Sequence, residues 1–182
     1  MPKLTPRALQ DRLRRVRLVL MDVDGVLTDG RIFHLVDTKG GLVEFKGIHS
    51  QDSIGLSWLA QSGLKTGVIS GRMSQGVAER LKILKMAYVY QHRLDKKPVF
   101  DEICRDARAD PRETLYIGDD LPDIPVLRAA GVGVAVANAR PEVRRAAGWV
   151  TQRAGGDGAV REVAEALLKS QGLWGSILEK FR

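Results

Sequence analysis

Ten residues, Met21 to Gly30, constrain this chain more than any other stretch. The apolar run Val19-Leu20-Met21 leads into Asp22-Val23-Asp24, and Gly25 begins a loop. Side chains alternate faces along a strand, so Asp22 and Asp24 share a side if the strand continues through both. Carboxylates this close repel each other, and burying either is costly. A divalent cation removes both objections. A lone pair of this kind is most often two solvated acids in a loop. Here a second acidic pair, Asp119-Asp120, stands later in the chain at the end of another apolar run.

Short apolar runs alternate with helical patterns along the whole sequence. Strands are expected over 17–23, 65–69, 87–90, 114–117 and 132–136, with a short edge strand at 149–150. Helices are expected from Pro6 to about Arg15, from an Asp52 cap to Ala60 before Gly63, and from Ser74 to about Leu84. Four more follow, over 97–108, 123–130, 141–147 and 158–169. Two β-prone runs around Gly40-Gly41 predict a hairpin over 31–45, close enough to the aspartate loop to act as a flap. The pattern is that of a Rossmann-like, three-layer α/β/α fold with a parallel sheet, read as a single domain over 1–182. The tail, 172–182, carries Leu173, Trp174, Ile177, Leu178 and Phe181 as one apolar stripe. It should pack on its own domain or dock on a neighbouring subunit.

Ligands of such sheets bind beyond the carboxyl ends of the strands. Those ends present Asp22 and Asp24, Ser70-Gly71-Arg72, the loop from Gln91 to Lys96, and Gly118-Asp119-Asp120. Clustered carboxylates suit Mg²⁺, which takes oxygen ligands together with substrate phosphate oxygens. One carboxylate can then attack phosphorus, and a second can protonate the leaving oxygen and later activate water. Ser70 and the Gly71 amide can hold the transferring group, and Lys96 or Lys97 can offset its charge. A signalling receiver domain also combines an α/β fold, a phospho-accepting aspartate and a lysine. It needs no acid/base two residues after the nucleophile and no hairpin there, so Asp24 favours hydrolysis.

These loops resemble, in order, the four motifs of haloacid dehalogenase superfamily phosphatases: Asp22 to Gly30, Ser70, Lys96, and Gly118-Asp119-Asp120. The hairpin after Asp29-Gly30, the run Ile69 to Arg72 and the segment Ala154 to Glu162 resemble the subfamily of 3-deoxy-D-manno-octulosonate 8-phosphate (Kdo 8-phosphate) phosphatases, over roughly residues 10 to 172. The resemblance implies no large cap domain, a homotetramer whose hairpins and neighbouring subunits close the sites, and a cytoplasmic enzyme supplying lipopolysaccharide biosynthesis. It implies Asp22 as nucleophile and Mg²⁺ ligand. Asp24 would be acid/base, contact substrate, and ligate the metal through its carbonyl. Asp119 would be the third ligand, with Asp120 and Asp123 in support. It selects Lys96 over Lys97, and gives Arg72 the substrate carboxylate, which a planar guanidinium fork suits. Gln91-His92 stands where the subfamily has Gln-Gly, and Ser50 to Gly55 replaces its Arg-Asp-Gly-Tyr-Gly. A nine-carbon sialic-type sugar-acid phosphate, or a broader range of small phosphates, is the alternative substrate.

Composition narrows the partners. A net charge of +7 would suit a polyanion, but the basic residues are dispersed and no basic-aromatic platform interrupts them, so a small anion is expected rather than nucleic acid. No apolar run approaches the roughly 20 residues of a membrane span, and the first residues do not pattern as a signal peptide. Cys104 is the sole cysteine and lies among helical apolar positions, which points to packing rather than nucleophilic chemistry.

Overall fold

The structure is a computed structural model that describes residues 3–182. Its centre is strand β1 (Leu18–Met21), four consecutive residues buried on both faces. On one side it pairs with β4 (Lys65–Ile69), and β4 pairs with β5 (Tyr88–Tyr90). On the other it pairs with β6 (Thr114–Gly118), followed by β7 (Val132–Ala135) and β8 (Trp149–Val150). All pairings in this six-stranded sheet are parallel. The order β5-β4-β1-β6-β7-β8 reverses direction between β1 and β6. A crevice opens at such a switch point, because the helices following the two strands leave toward opposite faces.

Helices α1 (Pro6–Leu13), α2 (Ser50–Gln61) and α7 (Ala159–Ser170) pack together, with α2 and α1 both against α7. Helices α4 (Lys96–Ala107), α5 (Ile124–Ala129) and α6 (Pro141–Ala146) form a second group. Helix α3 (Gln75–Ile83) connects β4 to β5 and buries Val77 and Leu81. The continuous apolar strands expected from sequence are the core: Val19, Leu20, Met21, Leu115, Tyr116, Ile117, Val132 and Val134 are all fully buried.

Strand β1 stops at Met21, one residue before the acids, and residues 24–27 form a turn. The expectation that Asp22 and Asp24 share one strand face is therefore corrected. The amides of Val26, Leu27 and Thr28 crowd onto the Val23 carbonyl at 3.0–3.3 Å, which curls the chain immediately after Asp22.

Asp52 is the second correction. Helix α2 begins at Ser50 with His49 as its cap, and Asp52 lies inside it, fully buried. Its carboxylate caps a different helix. It accepts the Arg161 amide at 2.7 Å and the Gly158 amide at 3.3 Å, at the start of α7. A tertiary cap of this kind satisfies orphan amides that α7, led by Gly158, has no side chain of its own to serve.

The hairpin consists of β2 (Phe33–Val36) and β3 (Leu42–Phe45), paired antiparallel and separate from the main sheet. Phe33 and Phe45 stack at 5.2 Å. The tail forms α8 (Trp174–Glu179) and packs on its own chain. Ile177 is buried, and Trp174 and Phe181 meet Trp58 edge-on at 5.4 and 6.2 Å.

Candidate active site

The carboxyl ends of β1 and β6 deliver the acids into the switch-point crevice. Asp22 is nearly buried, and its Oδ1 accepts the Val23 amide at 2.6 Å. Lys96, the first residue of α4 and also buried, reaches across to Asp22 Oδ2 at 2.8 Å and Asp123 Oδ1 at 2.7 Å. Asp123 is saturated: Oδ1 also accepts the Tyr116 hydroxyl at 2.7 Å, while Oδ2 accepts the amides of Asp119 and Asp120 at 2.9 and 3.1 Å. Its function in this arrangement is to fix Lys96 and the backbone that carries Asp119. Asp120 caps the 3₁₀ turn Leu121–Asp123 through the Leu121 amide at 2.8 Å, and so holds Asp123 in place.

Asp22, Asp119 and Asp123 place carboxylate oxygens within 4.8 Å of one another. Burial, reinforced by Asp123 and Asp22, pushes Asp119 up to about 8. Burial and Asp123 likewise push Asp22 up to about 6, against the pull of Lys96. Burial alone would lower the Lys96 ammonium, but Asp123 and Asp22 outweigh it and raise it. Three carboxyl groups thus share one ammonium, and ionising all of them calls for further positive charge. Asp119 Oδ1 is buried with no hydrogen-bond partner. Asp123 is fully occupied, and the Asp22 oxygens are held by the Val23 amide and Lys96, so the unpartnered oxygen is Asp119 Oδ1, within reach of the Asp22 carboxylate. This donor set fits a divalent, oxygen-seeking cation. Gly25 leaves the space: a Cβ there would lie 2.1 Å from Asp119 Oδ2.

Asp24 turns to the other side of the turn. Its Oδ1 accepts from Lys46 at 2.7 Å, and its Oδ2 lies 4.0 Å from Arg72 Nε. Arg72 also donates to Glu44 Oε2 at 3.0 Å, and Lys46 lies 3.3 Å from Glu44 Oε1. Ser70 is buried after β4. Its Oγ accepts the Arg72 amide and donates to the Arg72 carbonyl, both at 3.2 Å, which bends the loop around Gly71. Lys97 points away and pairs with Asp101 at 2.6 Å. His92 meets the same loop through its amide, bonded to the Arg72 carbonyl at 3.3 Å, in the left-handed region at φ 58°. Cys104 is buried, and burial pushes its thiol up to about 11, which suits packing.

Lys46, Glu44 and Tyr116 were missed by sequence reasoning. Glu44 and Lys46 lie in the hairpin run and its exit, where charged residues read as solvent-facing. The one available signal was their spacing of two, which would put both on one face of a strand that ran through Lys46. The Gly155-Gly156 segment has a steric explanation. The Gly156 amide bonds the Val26 carbonyl at 2.9 Å, and a Cβ on Gly155 would lie 1.7 Å from the Gly25 carbonyl oxygen. The two loops can pack only backbone to backbone. A cavity of about 850 Å³ lies at the opposite end of the sheet among Arg14, Arg17, Lys65 and Arg108. Helices α2, α4 and α7 end there.

Comparison with known proteins agrees with this geometry. Residues 84–163 match the model of the haloacid dehalogenase-like hydrolase family. The 3-deoxy-D-manno-octulosonate 8-phosphate phosphatase KdsC of Escherichia coli K12 is 37% identical over 161 residues, covering 88% of this chain and 84% of that protein. The crystal structure of the Moraxella catarrhalis enzyme of the same name, in complex with magnesium, phosphate and Kdo, superposes with a TM-score of 0.91 at 34% identity, covering 98% of this chain and all of that one. The cobalt-bound Haemophilus influenzae phosphatase (YrbI) gives 0.82 at 34% identity, over 88% of this chain and 92% of that one. The chain belongs to the haloacid dehalogenase-like hydrolases, in the group that contains the 3-deoxy-D-manno-octulosonate 8-phosphate phosphatases.

Proposed function

We propose that this protein is a Mg²⁺-dependent phosphatase that hydrolyses 3-deoxy-D-manno-octulosonate 8-phosphate to the free sugar acid and phosphate. The observation that carries the reading is the pairing of buried Asp22 with Lys96 beside the unpartnered Asp119 oxygen. Relatives named for this reaction, and the Moraxella structure with its magnesium, phosphate and Kdo, support it.

Asp22 attacks phosphorus, and the bond from phosphorus to the sugar oxygen breaks. Asp24 gives that oxygen its proton. The phosphoryl group then rests on Asp22 as an acyl phosphate, and Asp24 takes a proton from the water that hydrolyses it. Lys96, the Gly71 amide and the Ser70 hydroxyl hold the phosphoryl oxygens, once Ser70 turns its proton away from the Arg72 carbonyl. The carboxylates of Asp22 and Asp119, with the main-chain carbonyl of Asp24, would hold Mg²⁺. When bound, it neutralises their charge and that of the phosphate so that an anionic nucleophile can approach. Arg72 faces the sugar-acid carboxylate with the part of its fork that Glu44 leaves free.

The hairpin exposes Val36 at 72%, Leu42 at 70% and Leu35 at 59%, an apolar surface that a two-stranded unit cannot cover alone. In our reading these side chains are buried between copies in a homotetramer, where the hairpin serves as a flap, and 1–182 is one catalytic domain. No helix among the described residues is long and apolar enough to cross a membrane, and we place the enzyme in the cytoplasm.

The test is phosphate release from a panel of sugar phosphates, with and without Mg²⁺. Kdo 8-phosphate should be turned over best, only with the metal, and not at all by a folded Asp22→Asn variant. Preference for a nine-carbon sugar-acid 9-phosphate would favour the alternative substrate. Near-normal release by Asp22→Asn would remove the nucleophile assignment.

A further inference from the structure

Glu44 and Lys46 have no part in the proposed chemistry, yet the Lys46 side chain is only 1% exposed. An ammonium taken out of water is costly unless acids surround it, and ordering a lysine side chain costs up to about 2 kcal/mol. Its partners therefore determine its place. It donates to Asp24 Oδ1 at 2.7 Å and lies 3.3 Å from Glu44 Oε1. Glu44 Oε2 accepts from Arg72 at 3.0 Å, and Arg72 Nε closes the ring 4.0 Å from Asp24 Oδ2. Two acids and two cations alternate around it. The hairpin and its exit supply one acid and one base, and the strand-end loops supply the others. Glu44, near the end of β3, reaches Arg72, and Lys46, just beyond the strand, reaches Asp24, while Phe45 between them stacks on Phe33.

The arrangement is asymmetric at Asp24. Oδ1 has a short, charge-assisted bond, while 4.0 Å from Arg72 is too long for a hydrogen bond, so Oδ2 is left for the reacting oxygen. We propose that Lys46 is a positioning residue for Asp24: the hairpin of this chain carries the ammonium that fixes the acid/base carboxylate, so a docked hairpin is part of the catalytic geometry. The proposal rests on the reading of Asp24 as the acid that protonates the leaving oxygen. A simple anchor, in which Lys46 only tethers the hairpin, is the competing account.

Leaving groups separate the two. A sugar phosphate has a poor alkoxide leaving group that needs a proton, whereas p-nitrophenyl phosphate releases a phenolate that needs none. General acid catalysis contributes roughly 10²–10⁴-fold, and misplacing the acid forfeits part of that. For Lys46→Met, kcat/KM on Kdo 8-phosphate should fall about 10- to 100-fold. On p-nitrophenyl phosphate it should stay near the parent value, and Lys46→Arg should restore most of the lost activity on the sugar phosphate. Thermal melts confirm folding, and Lys46→Gln replaces Lys46→Met should the latter not fold. Equal losses on both substrates, no loss on either, or failure of Lys46→Arg to restore activity would overturn the proposal. Asp24→Asn is the control. If it is selective for the alkyl substrate while Lys46→Met is not, the positioning role alone fails. If Asp24→Asn lowers kcat/KM, which reports only the steps up to the one that expels the leaving group, alike on both substrates, the acid assignment falls, and the proposal with it.

Discussion

Lys96 and Lys97 are adjacent in sequence and opposite in fate. At the first turn of α4, successive side chains point about 100° apart. Lys96 enters the crevice, and Lys97 stays half-exposed with Asp101. Lys96→Ala should therefore lower kcat at least 100-fold, the scale of losing a positioned charge in a dry site. Lys97→Ala should leave steady-state kinetics near the parent values, since an exposed i,i+4 pair contributes a few tenths of a kcal/mol. The reverse result would shift the register of the site by one. Arg72 is argued from the substrate's charge. Arg72→Glu should raise KM for a sugar-acid phosphate by tenfold or more, the range for a lost charged pair. A neutral sugar phosphate should suffer less. Equal effects on both would assign Arg72 to phosphate binding or to loop structure.

At the scale of elements, the junction of α2 with α7 carries a cap that neither helix provides for itself. Asp52→Ala leaves the Gly158 and Arg161 amides without their acceptor, at a cost of about 1–3 kcal/mol. The cost depends on pH. Burial, partly opposed by those two amides, raises the Asp52 carboxyl above its ordinary 3.8. Between 3.8 and its folded value the native state keeps a proton that the unfolded chain has lost. Its contribution to stability therefore falls as pH rises through that window and is constant above it. The stability deficit of Asp52→Ala, measured by denaturant unfolding, should be larger near pH 4 than at pH 7. A deficit that grows with pH would contradict the assignment.

At the scale of the whole molecule, the hairpin presents an exposed apolar surface. The central strands β1, β6 and β7 bury their residues on both faces, but the hairpin leaves Leu35, Val36 and Leu42 in solvent. If copies of the chain cover them, Leu35→Lys combined with Leu42→Lys should shift sedimentation from the assembled species to the monomer. The melting temperature of the main domain should change little, because these side chains touch none of its buried core. A monomeric parent protein, or an unchanged assembly in the double variant, would remove the hairpin from the interface. The tail differs: α8 buries Ile177 and packs Trp174 against Trp58 within its own chain, while Leu178 and Phe181 stay exposed.

Much of this protein was legible in its sequence because the signals are local. Runs such as Val19-Leu20-Met21 and Leu115-Tyr116-Ile117, alternating with helical periods, are sufficient for a parallel sheet, and acids at strand ends are sufficient to place the crevice. Asp22, Asp119, Ser70, Lys96 and Arg72 stand at the strand-end and helix-start positions their spacing implied. What the sequence could not hold is any pairing between distant segments. Asp52 reads as the cap of its own helix, because a local bond is all that a sequence window can show, yet the packing of α2 on α7 brings it to the amides of Gly158 and Arg161. Glu44 and Lys46 carry no sequence signal of a site, because nothing local reveals that the hairpin folds back over Asp24 and Arg72. Charge partners are chosen by proximity in space, and burial sets their strength. Both quantities exist only once the sheet has fixed where each loop ends.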